Sequence, residues 1–303
     1  MEHLRNMIPF LQTSTRIDPI TKGFSTDKKY LVSFANRSRL ILKTASIDQW
    51  ERKQTECAIL RELQSHHVKA SIPVDSGTLE DQHLCYVLFS YLDGNDASEM
   101  LPAYSEDEQY AIGFTAGQEL AKMHRLSAPP AIQPWNMRAS QKHQKYAAAY
   151  QNCGIRLKND SNILDFIESA SPLMKARPNT FQHDDFHVGN LIVKEKEYVG
   201  AIDFNRFDWG DPIHDFYKLG LFSREVSIPF CIGQLHGYFN QQNPPDTFWK
   251  LYNLYMAMSL FSGLVWSIRV TPHLVDQMTE RIYSILEDHQ YFESEKPLWY
   301  RCD

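Results

Sequence analysis

Up to about residue 92 the apolar residues come in short runs separated by turns. Tyr30-Leu31-Val32-Ser33-Phe34 and Arg39-Leu40-Ile41-Leu42-Lys43 flank a turn over residues 35–38, and Cys85-Tyr86-Val87-Leu88-Phe89-Ser90-Tyr91-Leu92 stops at Asp93-Gly94. Runs of this length, rich in β-branched and aromatic residues and bounded by turn formers, predict strands. Between them, Trp50, Cys57, Leu60 and Leu63 recur at helical spacing over 49–63. Past Gly94 the period changes. Tyr110, Phe114, Gly117, Ala121 and His124 mark a helix over 106–126, closed by Pro129 and Pro130. Residues 135–176 are polar and helical, and 216–286 are helix-rich and aromatic, with a break at Asn243-Pro244-Pro245-Asp246. The pattern divides the chain into 1–92, rich in strands, and 93–303, mostly helical.

The candidate chemistry lies in the second part. Gln182-His183-Asp184-Asp185-Phe186-His187-Val188-Gly189-Asn190 sets Asp185 five residues before Asn190, and thirteen residues on comes Ile202-Asp203-Phe204. The apolar runs 191–193 and 199–202, around a turn at 194–197, predict a strand pair between Asn190 and Asp203. Phosphoryl transfer needs a carboxylate to orient a hydroxyl, and an amide oxygen and a second carboxylate to hold Mg²⁺ on the phosphates. Asp185, Asn190 and Asp203 fit those roles in that order. A lone Asp in a turn is ordinarily a cap; the joint spacing is what carries the reading. His183 and His187 read as loop supports.

The pattern H-x-D-x-x-x-x-N with a later I-D-F resembles the aminoglycoside phosphotransferase and choline kinase group of small-molecule kinases. Their loop usually reads H-G-D-x-H-x-x-N; Asp184 stands here in place of the Gly, and the spacing to Asn190 selects Asp185 as the base. The resemblance implies an α+β, two-lobed protein-kinase-like fold: a small β-rich nucleotide-binding lobe over 1–92 and a larger helical catalytic and substrate-binding lobe over 93–303. It implies ATP or GTP as co-substrate, with Lys43 on the phosphates and paired to Glu56, and Gly23, Ser25 and Thr26 in a loop arching over them. Main-chain groups of Ser90, Tyr91 and Leu92 would meet the purine edge. Gly210-Asp211-Pro212-Ile213-His214-Asp215 resembles the family's G-D-P-x-x-D, with Asp211 as a helix cap and Asp215 bonded to the catalytic loop. His124 is expected as a buried structural residue.

Composition narrows the partners. With 303 residues, 43% hydrophobic and 22% charged, the chain is long enough for two cores, and a net charge of −6 offers no basic face for nucleic acid or an anionic membrane. The apolar stretch 251–270 is interrupted by Asn253, Ser259, Ser262, Ser267 and Arg269, which predicts a buried helix, not a membrane span. Five scattered cysteines fit a reducing cytoplasm. The acceptor is expected to be a small hydroxylated molecule. An aminoglycoside comes first, with Asp208, Asp246, Glu287, Asp288 and Glu293 as candidates for a cation-binding cleft. Choline, a sugar, a macrolide or a homoserine-type alcohol fit the motifs equally. A catalytically silent nucleotide-binding protein is the alternative of another class. Asn205 after Asp203-Phe204 argues against a protein kinase.

Overall fold

The computed structural model describes residues 2–23 and 26–300. The chain forms two compact units, 1–94 with 199–205, and 95–198 with 206–303. The first holds a short helix α1 (Glu2–Met7) and five strands, β1 (Ser14–Ile20), β2 (Lys28–Phe34), β3 (Arg39–Ser46), β4 (Pro73–Leu79) and β5 (Leu84–Ser90), with α2 (Trp50–Ser65) between β3 and β4. The strands make one antiparallel sheet in the order β1-β2-β3-β5-β4. Alternation sends Val32, Leu42, Tyr86 and Leu88 into a core with Ile8, Leu11 and Ile17. On α2, Cys57, Leu60 and Leu63 are buried as the spacing predicts, Trp50 is half-buried, and Lys53 and Glu56 are buried with them.

Segment 199–205 is stitched to this unit. Ala201 donates to Lys69 O (3.0 Å) and accepts from Ser71 N (3.1 Å), and Arg52 Nη2 donates to Asn205 O (2.8 Å). Only glycine suits position 200, where a Cβ would stand 2.8 Å from Leu92 Cδ1 and 3.0 Å from Lys69 O.

The second unit runs β6 (Asn95–Asp96), α3 (Ala97–Met100), α4 (Glu106–Met123), α5 (Trp135–Gln151), α6 (Asp160–Ala170), β7 (Thr180–Gln182) and β8 (Leu191–Lys194). Strand β9 (Glu197–Ala201) leads out of it. After the return come β10 (Asp208–Gly210), α7 (Ile228–Tyr238), α8 (Asp246–Val270) and α9 (Val275–Asp288). Helix α4 starts where a capping box closes: Ser105 Oγ accepts from Glu108 N (3.3 Å) while Glu108 Oε2 accepts from Ser105 N (2.9 Å). Helix α8 is long and apolar enough to cross a membrane by length and composition, but 72% of its most apolar window is buried inside the protein. It is a core helix, as its interrupting polar residues predicted.

Helices α4 and α7 meet backbone to backbone. A Cβ at Gly113 or Gly117 of α4 would fall 2.1 Å from Phe230 O or 2.0 Å from Gln234 O. One at Gly233 or Gly237 of α7 would fall 2.2 Å from Tyr110 O or 1.9 Å from Phe114 O. The stripe read from Tyr110 to Ala121 therefore faces α7, while Ile112, Ala116, Leu120 and Met123 bury a second face.

Gly237→Ala must push the helices apart, and is expected to cost on the order of 1–3 kcal/mol or more. Gly263 in α8 has only Met278 Sδ at 3.7 Å from an added Cβ. Gly263→Ala should be neutral or stabilise by up to about 1 kcal/mol, because Ala is the better helix former. Urea denaturation of the two variants beside the native protein checks both signs.

Candidate active site

The second unit holds the candidate loop over 183–190. Asp184 adopts φ +56°, the left-handed region that glycine occupies without strain. This is the position where the resembling family carries Gly. Its peptide is pinned by the fully buried Asp215, whose Oδ1 accepts from Asp184 N (2.8 Å) and whose Oδ2 accepts from His183 N (2.9 Å) and faces His124 Nε2 (3.1 Å). His124 also bonds Tyr238 Oη at 2.9 Å, so it is buried and structural. Burial alone would raise the Asp215 carboxyl; the His124 bond and the His183 contacts hold it below its ordinary value. Asp211 caps the turn at Pro212–Phe216 by accepting from Ile213 N (3.1 Å), and is fixed by Arg177 (2.7 and 2.9 Å) and Tyr255 (2.7 Å).

From this corner the two adjacent carboxylates diverge. Asp184 lies 3.7 Å from Lys142 Nζ and 3.4 Å from His214 Nδ1. Asp185 takes the ammonium of Lys218 at 2.8 Å and the Asn190 amide nitrogen at 3.1 Å, with His187 Nε2 at 3.6 Å. Asn190 Nδ2 also donates to Asp185 O (2.9 Å), which leaves its amide oxygen free of that bond. Burial pushes the Asp185 carboxyl up, but Lys218, His187 and Arg206 outweigh it and hold the group well below the carboxylate range. His187 Nδ1 accepts from Gly189 N (3.2 Å), so the ring proton faces Asp185 from Nε2. Lys218 is a site residue that the spacing did not reveal. It precedes a π-helical turn, Leu219–Ser223, whose Ser223 Oγ accepts from Val188 N (3.2 Å).

In the first unit, Asp203 also has a left-handed backbone, φ +66°, and its carboxylate takes two ammoniums: Lys43 on Oδ1, and Lys29 on Oδ2 at 2.7 Å. Burial would raise this carboxyl too; Lys43 and Lys29 hold it far below its ordinary value. Lys29 was the second residue missed, and its signal is the hairpin register, which sets it directly opposite Lys43. Burial lowers the Lys43 pKa, but Asp203 and then Glu56 raise it above its usual value. The ion pair expected between Lys43 and Glu56 is drawn differently: Glu56 lies 3.6 Å from Lys53, which holds Asp27 at 2.6 Å. Lys53 is three residues before Glu56 on the same helix face, so it reaches the carboxylate first.

Gly23 takes φ +105° and sits close to the Lys29 ammonium, 3.4 Å from where a Cβ would be; Thr26 is exposed, and Ser25 lies outside the described residues. Ser90 N donates to Ile72 O (2.8 Å), so that amide is already engaged. The Tyr91 ring lies under the Arg39 guanidinium at 4.0 Å. Of the five acidic residues expected in a cation cleft, Asp208 is held by Arg138 and Asp288 by Arg224 at 2.6 Å, while Asp246, Glu287 and Glu293 are exposed.

The sequence matches the model of the phosphotransferase enzyme family (APH) over residues 16–248, and the chain belongs to that family. No curated protein matches it significantly. Among solved structures, it is similar to a thermostable mutant of aminoglycoside phosphotransferase APH(4)-Ia in apo form, at 13% identity and TM-score 0.70, covering 94% of this chain and 97% of that one. A GDP complex of a mutant aminoglycoside 2'-phosphotransferase-IIIa gives 14% and 0.71 over 97% and 99%. Amicoumacin kinase hAmiN in complex with AMP-PNP, Ca²⁺ and Ami gives 15% and 0.66 over 93% and 90%. These likenesses fix the fold as the kinase-like one the motifs implied.

Burial, opposed by Asp185, keeps His187 largely neutral down to about pH 4. An unfolded His takes its proton near pH 6.5. Between those values the unfolded chain binds a proton that the native one refuses, so stability falls as pH falls through this window. His187→Asn should remove this residue's share of the dependence, on the order of 2 kcal/mol between pH 7 and 5, as read from urea midpoints at the two pH values beside the native protein.

Proposed function

We propose that the protein transfers the γ-phosphoryl group of ATP or GTP to a hydroxyl of a small molecule. The observation that carries the reading is the Asp185 carboxylate, kept ionised by Lys218 and aimed by Asn190. A carboxylate held so low is a weak base. Its task is to orient the attacking hydroxyl and to accept the proton late, when bond formation to phosphorus has made that hydroxyl acidic. A silent nucleotide-binding protein would have no use for such a clamp.

Lys43 and Lys29 both rest on Asp203; a triphosphate would draw these ammoniums to its own oxygens and stabilise charge as it develops. Asn190 and Asp203 are assigned to Mg²⁺. Their donor atoms are an amide oxygen and a carboxylate, with no thiol or imidazole, which suits a hard cation. When bound, that ion would neutralise phosphate charge. Glu56, one ion pair removed through Lys53, keeps the lysine cluster in charge balance. Gly23, Ser25 and Thr26 are assigned to covering the phosphates. With the Ser90 amide engaged, Tyr91 and Leu92 are left to meet the purine. The described cysteines Cys57, Cys85, Cys153 and Cys231 are free thiols, which suits the cytoplasm. Aminoglycosides head the acceptors to try, because aminoglycoside phosphotransferases are among the structural neighbours.

Purified protein incubated with Mg²⁺-ATP or Mg²⁺-GTP and a panel of hydroxylated compounds should release nucleoside diphosphate in an acceptor-dependent way. Asp185→Ala should cut turnover at least about a hundredfold while nucleotide binding by calorimetry is unchanged. A fully active Asp185→Ala protein would refute the assignment. Lys29→Met should weaken nucleotide binding about tenfold, the scale of one charge-assisted hydrogen bond, with or without Mg²⁺.

A further inference from the structure

The corner that aims Asp185 holds more donor atoms than its own bonds use. Asp184 stands where the family's loop usually has Gly, and its two oxygens have different surroundings. Oδ2 faces the Lys142 ammonium at 3.7 Å, while Oδ1 faces His214 Nδ1 at 3.4 Å. Oδ1 and Nδ1 are both shut off from solvent, and neither has a hydrogen-bond partner among the described residues. Close as they are, they lack the alignment of a bond. Folded proteins rarely leave buried polar atoms so, and two that face each other point to a shared guest.

Their chemistry selects that guest. With the ring proton on Nε2, His214 offers a lone pair from Nδ1 toward a carboxylate oxygen, and what two lone pairs share is a cation. The spacing is that of a tetrahedral ion: ligands about 2.1 Å from Zn²⁺ stand about 3.4 Å apart. Mg²⁺, octahedral and partial to oxygen, would draw them to about 3 Å.

A third group stands behind the pair. Asp215 lies within 4.8 Å of both atoms. Its oxygens accept from the His183 and Asp184 amides and meet the His124 ring, so it supplies charge and an acceptor for metal-bound water, not a direct bond. Two carboxylates offset the two charges of such an ion. Lys142 is no obstacle, because it sits on the other oxygen and its side chain, 46% exposed, can swing into water. All four residues belong to the second unit.

We propose that the protein binds Zn²⁺, or a like tetrahedral ion, between Asp184 Oδ1 and His214 Nδ1, by residues other than the Asn190 and Asp203 assigned to Mg²⁺. Such an ion ties the loop at 184 to the turn at 212–216, whether or not the phosphoryl-transfer reading holds. The test titrates the whole chain, labelled with nitrogen-15 histidine, with Zn²⁺ alone and follows the ring nitrogens by NMR. The His214 signals are those missing from His214→Phe, a change that keeps a ring among Trp135, Tyr217 and Tyr255. In the native protein His214 Nδ1 should shift saturably. Asp184→Gly should fold, since glycine takes the left-handed backbone at 184 without strain. In that variant the same shift should need at least about tenfold more Zn²⁺. Mg²⁺ at equal concentrations should leave His214 unmoved. Zn²⁺ uptake with His214 unmoved is adventitious binding elsewhere and overturns the proposal. So does a midpoint unchanged in Asp184→Gly, or a His214 shift that Mg²⁺ reproduces.

Discussion

A buried carboxylate is tolerated only when its charge is fully met, and Asp215 meets that condition with two loop amides and the His124 ring. What those bonds secure is a left-handed residue at 184, a conformation that costs free energy for any side chain bearing a Cβ. The direction of every group in the loop follows from it. With the corner fixed, Asp184 turns toward Lys142 and His214, and Asp185 toward Lys218 and Asn190. Two neighbouring acids that would otherwise compete for one position serve different surroundings.

The first unit solves a related problem with pairs. Three buried or half-buried lysines, Lys29, Lys43 and Lys53, face three carboxylates, Asp203, Glu56 and Asp27. Each ammonium has a partner, so the cluster is close to neutral and can sit against the sheet. It is also exchangeable: a ligand anion that takes one lysine leaves Asp203 with the other.

Much of this was legible in the sequence. Period and turn residues located β2, β3, β5, α2 and α4, because those elements bury one face and their apolar spacing records it. Strand β4 went unread: Pro73-Val74-Asp75-Ser76-Gly77-Thr78-Leu79 has neither alternation nor an apolar run, and pairs only because β5 offers its edge. Asp184 and Asp185 diverge because the loop is left-handed at 184, which the residue types alone do not reveal. Lys29 and Lys218 escaped because a lysine beside a strand or helix end looks like solvent decoration until register or folding brings it to a carboxylate. Glu56 is buried on α2, but its ion pair goes to Lys53, a matter of reach that spacing to Lys43 does not contain. Return of 199–205 to the first unit is written in backbone bonds to Lys69 and Ser71, which leave no trace in residue type.

The four-glycine contact of α4 and α7 has a mechanical side. Side chains cushion most helix pairs, hopping between rotamers so that one helix can roll or slip against its neighbour. Here carbonyls rest on bare Cα atoms at four points, and nothing soft lies between. The two helices must travel as a single strut. Any breathing in the helical unit is therefore pushed to its other packing seams, the one between α5 and α8 included.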